Sequence, residues 1–323
     1  MGNIACVVIV RNAEAIIAEW LSYHLALGFE TILLFDNDST DSTLHVVKKF
    51  QRKHDVRVIP WPIKTKTYQT EAYEYGLFKF GREFTWLAFI DSDEFLTFPP
   101  GKSLKTLLDV PEGIGAIALP WAFFGSNGHV SRPKNLVIKS YLHRSESDFF
   151  DNKPIKSIVR PDRVIRVSGP HNCKVRGAYV DMNHKRIKRP SWKLEKSPDY
   201  AGGKLNHYFV QSREDWAQKI ARGYHDTQRS LSDFQIYDRN EIYDDDALRL
   251  LPQVETILEN AGSVHEDSFL KTLPTPSLLG RRIVQSFWCF NSMLFWVYSC
   301  RSLVRVFGRP VLNRIIYWIK SEG

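Results

Sequence analysis

The chain opens on a short apolar run, residues 4–10 (IACVVIV), whose β-branched character suits a strand buried on both faces. Asn12 stands where it can cap a following helix, with Glu14 in the first turn. Ile17, Trp20, Leu21, His24 and Leu25 recur at helical spacing, and Gly28 supplies a stop. Residues 31–36 (TILLFD) predict a second strand. Asp38 or Ser39 opens a helix to about Lys53, with Leu44, Val47 and Phe50 facing inward. Residues 56–59 predict a third strand, halted by Pro60 and Pro62; residues 69–80 a helix; and residues 86–91 (WLAFID) a fourth strand.

The first hundred residues therefore read β-α-β-α-β-α-β. Such alternation predicts the α/β class, a Rossmann-like, mostly parallel sheet with helices on both faces. Ligands of such sheets sit beyond the carboxyl ends of the strands. Here those ends are Arg11-Asn12, Asp36-Asn37-Asp38 and Asp91-Ser92-Asp93-Glu94, so polar and acidic residues gather where a ligand is expected. After residue 100 the periodicity weakens. Strands are expected at 114–121, 155–167 and 174–181, and a helix at 213–222 after Ser212. A glycine-bearing aromatic loop spans 123–129, and the acidic stretch 233–246 reads as a solvated face or a linker.

Composition narrows the class. With 323 residues, 43% hydrophobic and 25% charged, the chain is neither fibrous, disordered nor polytopic in the membrane. Four scattered cysteines without a CxxC pair exclude a disulfide scaffold and favour a reducing compartment. The N-terminus lacks a basic region and a cleavage site, so no signal peptide is expected, and Cys6 stands where a myristoylation motif wants Ser or Thr. The net charge is +8, but residues 276–323 hold seven Lys or Arg against Glu322 alone, which leaves +2 for the rest. A nucleic-acid partner is therefore not expected. Within that tail, residues 283–300 carry no charge, arginines flank them, and Trp288, Trp296 and Tyr298 prefer an interface. They predict a surface helix or hairpin holding the protein peripherally on the cytoplasmic face of a membrane. A helical pair packed on the domain or on a dimer partner, or a spanning helix, is the alternative. The expected division is 1–225 (a nucleotide-binding half to residue 100 and an acceptor half from 101), a helical, acidic connector 226–275, and the tail 276–323.

Asp91-Ser92-Asp93 ends an apolar strand. Two carboxylates two residues apart share a cation only where the backbone turns, as it does at a strand end. Hard oxygen ligands suit Mg²⁺ or Mn²⁺, with the remaining positions left to water and phosphate. Other nucleotide motifs fail: no GxGxxG follows the first strand, and Gly101-Lys102-Ser103 lacks the earlier glycine of a phosphate loop, since Leu96 stands there. No HExxH or GxSxG occurs.

Together, Val10-Arg11-Asn12-Ala13-Glu14, the run Asp36 to Thr43, and Trp86 to Phe95 resemble glycosyltransferase family 2, in its subgroup related to the family 92 transferases. Trp121 with Phe124 to His129, Lys156 to Pro161, His171, Asn206-His207-Tyr208, Ser212 and Lys219 extend the resemblance over about residues 4–225. It implies a GT-A fold binding a nucleotide sugar and a divalent metal. Carried over, Arg11, Asn12, Glu14, Asp36, Asp38, Lys66, Gln69 and Asp91 would line the nucleotide pocket, with Asp41 supporting its loop. Asp93, with Asp91 and His207, would hold the metal; His171 would serve the acceptor site or the structure. The implied reaction is inverting transfer from a UDP-sugar to a glycan or lipid-linked acceptor. Metal and basic groups neutralise the diphosphate, and a carboxylate base takes the acceptor proton. Asp148, Asp151, Glu195 and Asp226 are open candidates for that base. A nucleotidyltransferase of similar sheet and a non-catalytic, membrane-associated glycan-binding module are the alternatives.

Overall fold

The computed structural model describes residues 3–223, 229–262, 270–278 and 280–288. Its first half runs β1 (Ile4–Val10), α1 (Ile17–Leu27), β2 (Thr31–Asp36), α2 (Thr43–Phe50), β3 (Asp55–Pro60), α3 (Tyr68–Phe80) and β4 (Trp86–Phe89). These four strands pair in parallel in the order β3-β2-β1-β4. Alternate residues go to opposite layers, as pleating requires. Cys6, Val8, Ile32 and Leu34 meet Trp20 and Leu21 of α1 and Val47 of α2, while Ala5, Val7, Leu33 and Phe35 meet Ala72, Tyr73 and Leu77 of α3. The predicted α/β class and alternation are thus realised.

The second half continues with β5 (Glu94–Thr97), α4 (Leu104–Leu108), β6 (Ile114–Phe123), α5 (Val137–Ser140), β7 (His143–Arg144), β8 (Ile155–Val159), β9 (Val164–Val167), β10 (Cys173–Val175), β11 (Ala178–Val180) and β12 (Lys204–His207). It ends with α6 (Arg213–Arg222), α7 (Phe234–Tyr237), β13 (Ile242–Tyr243) and α8 (Leu251–Gly262). The sheet extends beyond β4 as β8-β6-β12-β5, with β11 also on β6. β8 is antiparallel to β4 and β6, whereas β12 is parallel to β6 and antiparallel to β5. The strand expected over 155–167 is two strands, because Pro161 opens a 3-10 turn between them.

Two helix starts move. Asn12 does not cap α1: it adopts a left-handed φ of 53°, donates its backbone N–H to Ser39 Oγ at 3.0 Å, and accepts from Thr40 N through Oδ1 at 2.8 Å. The chain needs four more residues before α1 begins. Asp38 is also left-handed, at φ 62°, and α2 starts only at Thr43. Gly28, at φ 111°, ends α1 as expected.

The acidic stretch 233–246 is not merely a solvated face. Asp244 and Asp246 lie 2.9 and 2.5 Å from the ammonium of Lys204, which is buried at the start of β12, and Arg144 Nε donates to Asp244 at 2.6 Å. Asp238 and Asn240 accept from the backbone of Ser126 and Asn127, clamping the aromatic loop. Gly125 is required there, since a Cβ would meet the Arg239 carbonyl at 2.3 Å. α8 packs on α1 through the buried Val254.

Leu273 N donates to Val58 O at 2.7 Å, and the Gln51 amide brackets Lys271, so residues 271–273 run alongside β3. Residues 280–288 lie on α3, burying Val284 and Trp288, with Trp288 Nε1 donating to Glu74 O at 3.2 Å. This opening stretch of the predicted membrane segment therefore packs on the domain. Residues 289–323 lie outside the described residues. Among the described residues no helix is long and apolar enough to cross a membrane.

Candidate functional site

The carboxyl ends of β1, β2, β4, β6 and β12 converge on one rim. On one side of it, the turns after β1 and β2 are stitched together. Besides the Asn12 bonds, Ser42 N donates to Glu14 Oε2 at 2.8 Å, Glu14 N to Asp41 Oδ2 at 3.1 Å, and Ala13 N to Thr43 Oγ1 at 2.7 Å. Asp36 is buried at the end of β2 and burial raises its carboxyl above the ordinary value, although Ser39 hydrogen bonds oppose this. Asn37 donates to Trp61 O and Ile63 O, tying β2 to the loop after β3. Arg11 and Asp38 are exposed on the rim; Lys66 is exposed on the loop before α3, and it is Lys64, at 3.7 Å, that reaches Asp38.

The turn after β4 is held from beneath. Trp20 Nε1 donates to both Asp91 O and Glu94 O, at 2.9 and 3.0 Å, and Asp91 N donates to Glu94 Oε2 at 2.7 Å. Asp91 Oδ1 accepts from the Gln69 amide at 2.6 Å and from the Tyr73 hydroxyl at 3.2 Å. On the other oxygen sits Lys156, its side chain 1% exposed, with Nζ 2.7 Å from Asp91 Oδ2. Burial opposes charge on that amine, but Asp91 and Glu94 outweigh it and raise its pKa, so Lys156 is an ammonium. Glu94 lies wholly buried behind the turn, and burial raises its carboxyl well above the usual range. Asp91, expected beside the metal, thus already carries a cation of the protein's own.

Asp93 faces the other way. Its Oδ2 lies 2.8 Å from Lys219 Nζ, which also donates to Phe209 O at 3.0 Å and stands over the Phe209 ring. Its Oδ1 lies 3.7 Å from His207 Nε2. Burial would raise the Asp93 carboxyl, but Lys219 and His207 hold it far below the usual range. Burial keeps the His207 imidazole below its ordinary value, hence neutral, and leaves its Nδ1 without a partner among the described residues. The ring is fixed against Trp121 at 4.4 Å and Phe123 at 4.8 Å. Among the described residues no three His, Cys, Asp or Glu side chains gather as a cage for a metal. Asp93 Oδ1 and His207 Nε2 nevertheless fit a cation that keeps its other positions for water and phosphate.

His171 does not join them: Nδ1 bonds to Ile155 O at 3.0 Å, and its ring lies 5.3 Å from Trp121. Of the base candidates, Asp148 and Glu195 are exposed, and Asp226 lies outside the described residues. Asp151 sits on a 3-10 turn and is partly buried; burial raises its carboxyl above the ordinary value, against the charges of Arg229 and Lys193. Asn152 anchors that turn to the end of β6, accepting from Phe123 N at 2.9 Å. Sequence reasoning gave Trp20 and Tyr73 no more than a place in a helix, and named Glu94 in the rim and Lys156 and Lys219 in the motifs without assigning them contacts. Inward spacing on α1 and α3 marks the first two as core, and nothing local tells a buried lysine in a strand from an edge one.

S. aureus TarS shares 17% identity and a TM-score of 0.37 over 72% of this chain and 42% of its own. Mycobacterium tuberculosis glucosyl-3-phosphoglycerate synthase shares 20% and a TM-score of 0.27 over 37% of this chain and 44% of its own. Both likenesses are distant. A glycosyltransferase family 92 protein of Oryza sativa subsp. japonica is 30% identical over 157 residues, 47% of this chain and 26% of that protein. One of Ricinus communis is 27% identical over 187 residues, 53% of this chain and 31% of its own. The chain thus spans under a third of these relatives' length. The model of glycosyltransferase family 92 matches residues 2–244, and the chain belongs to that family.

Proposed function

We propose that the chain is a metal-dependent, inverting glycosyltransferase that moves a sugar from a UDP-linked donor to a glycan or lipid-linked acceptor, with the broader kinship to family 2 that its motifs suggest. The observation that carries this reading is the turn after β4, where Asp93 Oδ1 faces the neutral His207 across 3.7 Å, beside a rim of stitched nucleotide-side loops. Asp93 and His207 are the residues that would hold Mg²⁺ or Mn²⁺, which supplies charge neutralisation to a departing diphosphate. The protein's own part is separate from that. Lys156 and Gln69 fix Asp91 at the ribose side, and Lys219 turns Asp93 toward His207. Asp151, anchored beside β6, is the carboxylate best placed to accept the acceptor hydroxyl's proton.

UDP and UDP-glucose with Mn²⁺ are the ligands named with TarS and the mycobacterial synthase, and they are the first probes to use. Calorimetry with UDP should show heat that depends on Mn²⁺ and disappears in Asp93→Ala, whose circular dichroism stays native. A panel of sugar nucleotides then identifies the donor. Unchanged turnover in Asp93→Ala sinks the reading. We also propose that the chain works on the cytoplasmic face of a membrane, held by residues beyond 288, where Arg301, Arg305 and Arg309 lie between Trp296 and Trp318. Flotation with anionic liposomes tests this, and a full-length chain that stays at the bottom of the gradient refutes it.

A further inference from the structure

The near-neutral charge of the body conceals a local excess. Residues 153–196 hold thirteen Lys or Arg against three Asp or Glu, a larger imbalance than the whole chain's +8. Several of these cations have structural duties: Lys156 holds Asp91, and Lys185 pairs with Asp199. Lys188, Arg189, Lys193 and Lys196 are exposed and form no ion pair among the described residues. Among them stands Trp192, 49% exposed.

This patch is tied to the site. Trp192 O accepts from Ile155 N at 3.1 Å, and Leu194 N donates to Lys153 O at 2.8 Å, so the segment is pinned to the start of β8, just past Asp151. The Trp192 ring lies 6.1 Å from His171, His171 lies 5.3 Å from Trp121, and Trp121 lies 4.4 Å from His207. An unbroken file of rings therefore leads from the Asp93–His207 pair to the surface. At its outer end Lys193 Nζ stands 4.8 Å over Trp192, and its charge reaches the Asp151 carboxyl.

We infer that this file and its cations form an acceptor subsite for a negatively charged glycan, one bearing uronate or phosphate groups. The apolar face of a sugar ring would lie on Trp192, and its anionic groups on Lys188, Arg189 and Lys193. The inference rests on the glycosyltransferase reading and adds the acceptor's charge to it. A cluster of lysines, arginines and tryptophan also suits an anionic lipid surface. The connection to His207 and Asp151 favours the acceptor, because a membrane patch has no need of a path into the site.

The test measures binding of a galacturonate hexasaccharide and of a phosphorylated oligosaccharide, each against its neutral counterpart, to the full chain with UDP and Mn²⁺ present. The charged probe should bind, its neutral counterpart should not, and affinity should fall as salt rises from about 50 to about 300 mM. Trp192→Ala and the triple Lys188→Ala/Arg189→Ala/Lys193→Ala variant should each lose about tenfold or more in affinity, about 1.4 kcal/mol. Both should keep the wild-type affinity for UDP, which separates this proposal from the donor-site reading. Because the triple variant alters exposed side chains only, it decides the matter should Trp192→Ala fail to fold. Equal binding of charged and neutral probes, binding of neither, or variants that bind like wild type overturn the inference. So does wild type that binds phosphatidylglycerol vesicles through these residues but no charged glycan.

Discussion

Replacing Lys204 by Met tests whether the acidic segment after α7 is structural. Lys204 is buried at the head of β12, its side chain 4% exposed, and its ammonium lies 2.9 Å from Asp244 and 2.5 Å from Asp246. Asp244 is nearly as buried, at 6%. Methionine keeps the aliphatic stem but strips the cation from two carboxylates. Breaking a buried pair at one end costs about 3–5 kcal/mol, because the surviving charge stays desolvated. Arg144 remains 2.6 Å from Asp244, which places the expected loss near the lower figure, about 3 kcal/mol. That is a large part of a domain's usual margin of about 5–15 kcal/mol. Urea unfolding followed by tryptophan fluorescence should show the midpoint falling at constant slope. The double variant Lys204→Met/Asp244→Asn should recover about half of the loss, since the orphaned charge is gone while Arg144 keeps an acceptor. A loss under about 1 kcal/mol, or strict additivity of the two changes, refutes the claim that this network fastens the segment to the strand carrying His207.

Trp20→Phe should cost about 2–4 kcal/mol and weaken UDP binding with Mn²⁺, because it removes the single N–H shared by Asp91 O and Glu94 O beneath the turn and leaves a gap; calorimetry and urea midpoints measure the two effects. Gly125→Ala should lower the melting temperature, since the new Cβ meets the Arg239 carbonyl, at a cost of about 1–3 kcal/mol. Burial pushes Glu19 up to about 7, against hydrogen bonds from the N–H groups of Ile138 and Val137. As pH rises from about 4.5 to 7 the unfolded chain therefore ionises first and native stability falls, by about 3 kcal/mol at most. Glu19→Gln should abolish that slope in urea midpoints taken at successive pH values. Burial holds His171 down to about 4 and His24 to about 3, so their contributions are present above pH 6.5 and are lost as pH falls toward those values. Neutral variants at the two histidines should flatten the acid limb.

The parallel half of the fold was legible because each of its strands is a compact apolar run with a polar end, and the polar ends marked the rim. What escaped the sequence depends on pairs distant in the chain. Asn12 reads as a cap by type and place, yet its side chain serves Thr40. Residues 94–97 follow the motif so closely that their strand is hidden, though Phe95 and the residues around it pair with β12. The acidic stretch looked solvated because its partners, Lys204 and Arg144, lie forty and a hundred residues earlier. The Asp91-Ser92-Asp93 turn was visible, but the pairing of Lys156 with Asp91 and of Lys219 with Asp93 was not, since each lysine comes from a different later element.

The segment 271–273 along β3 also bears on handling the protein. β3 is the outermost strand of the sheet, and without Leu273 the Val58 carbonyl loses its partner. A chain cut after α8 would keep the rim with Asp93 and His207 yet present a bare, half-apolar strand edge, the kind that pairs with copies of itself. Such a shortened chain would be expected to self-associate in solution through this edge, so activity lost on trimming the tail need not mean that the tail touches any ligand.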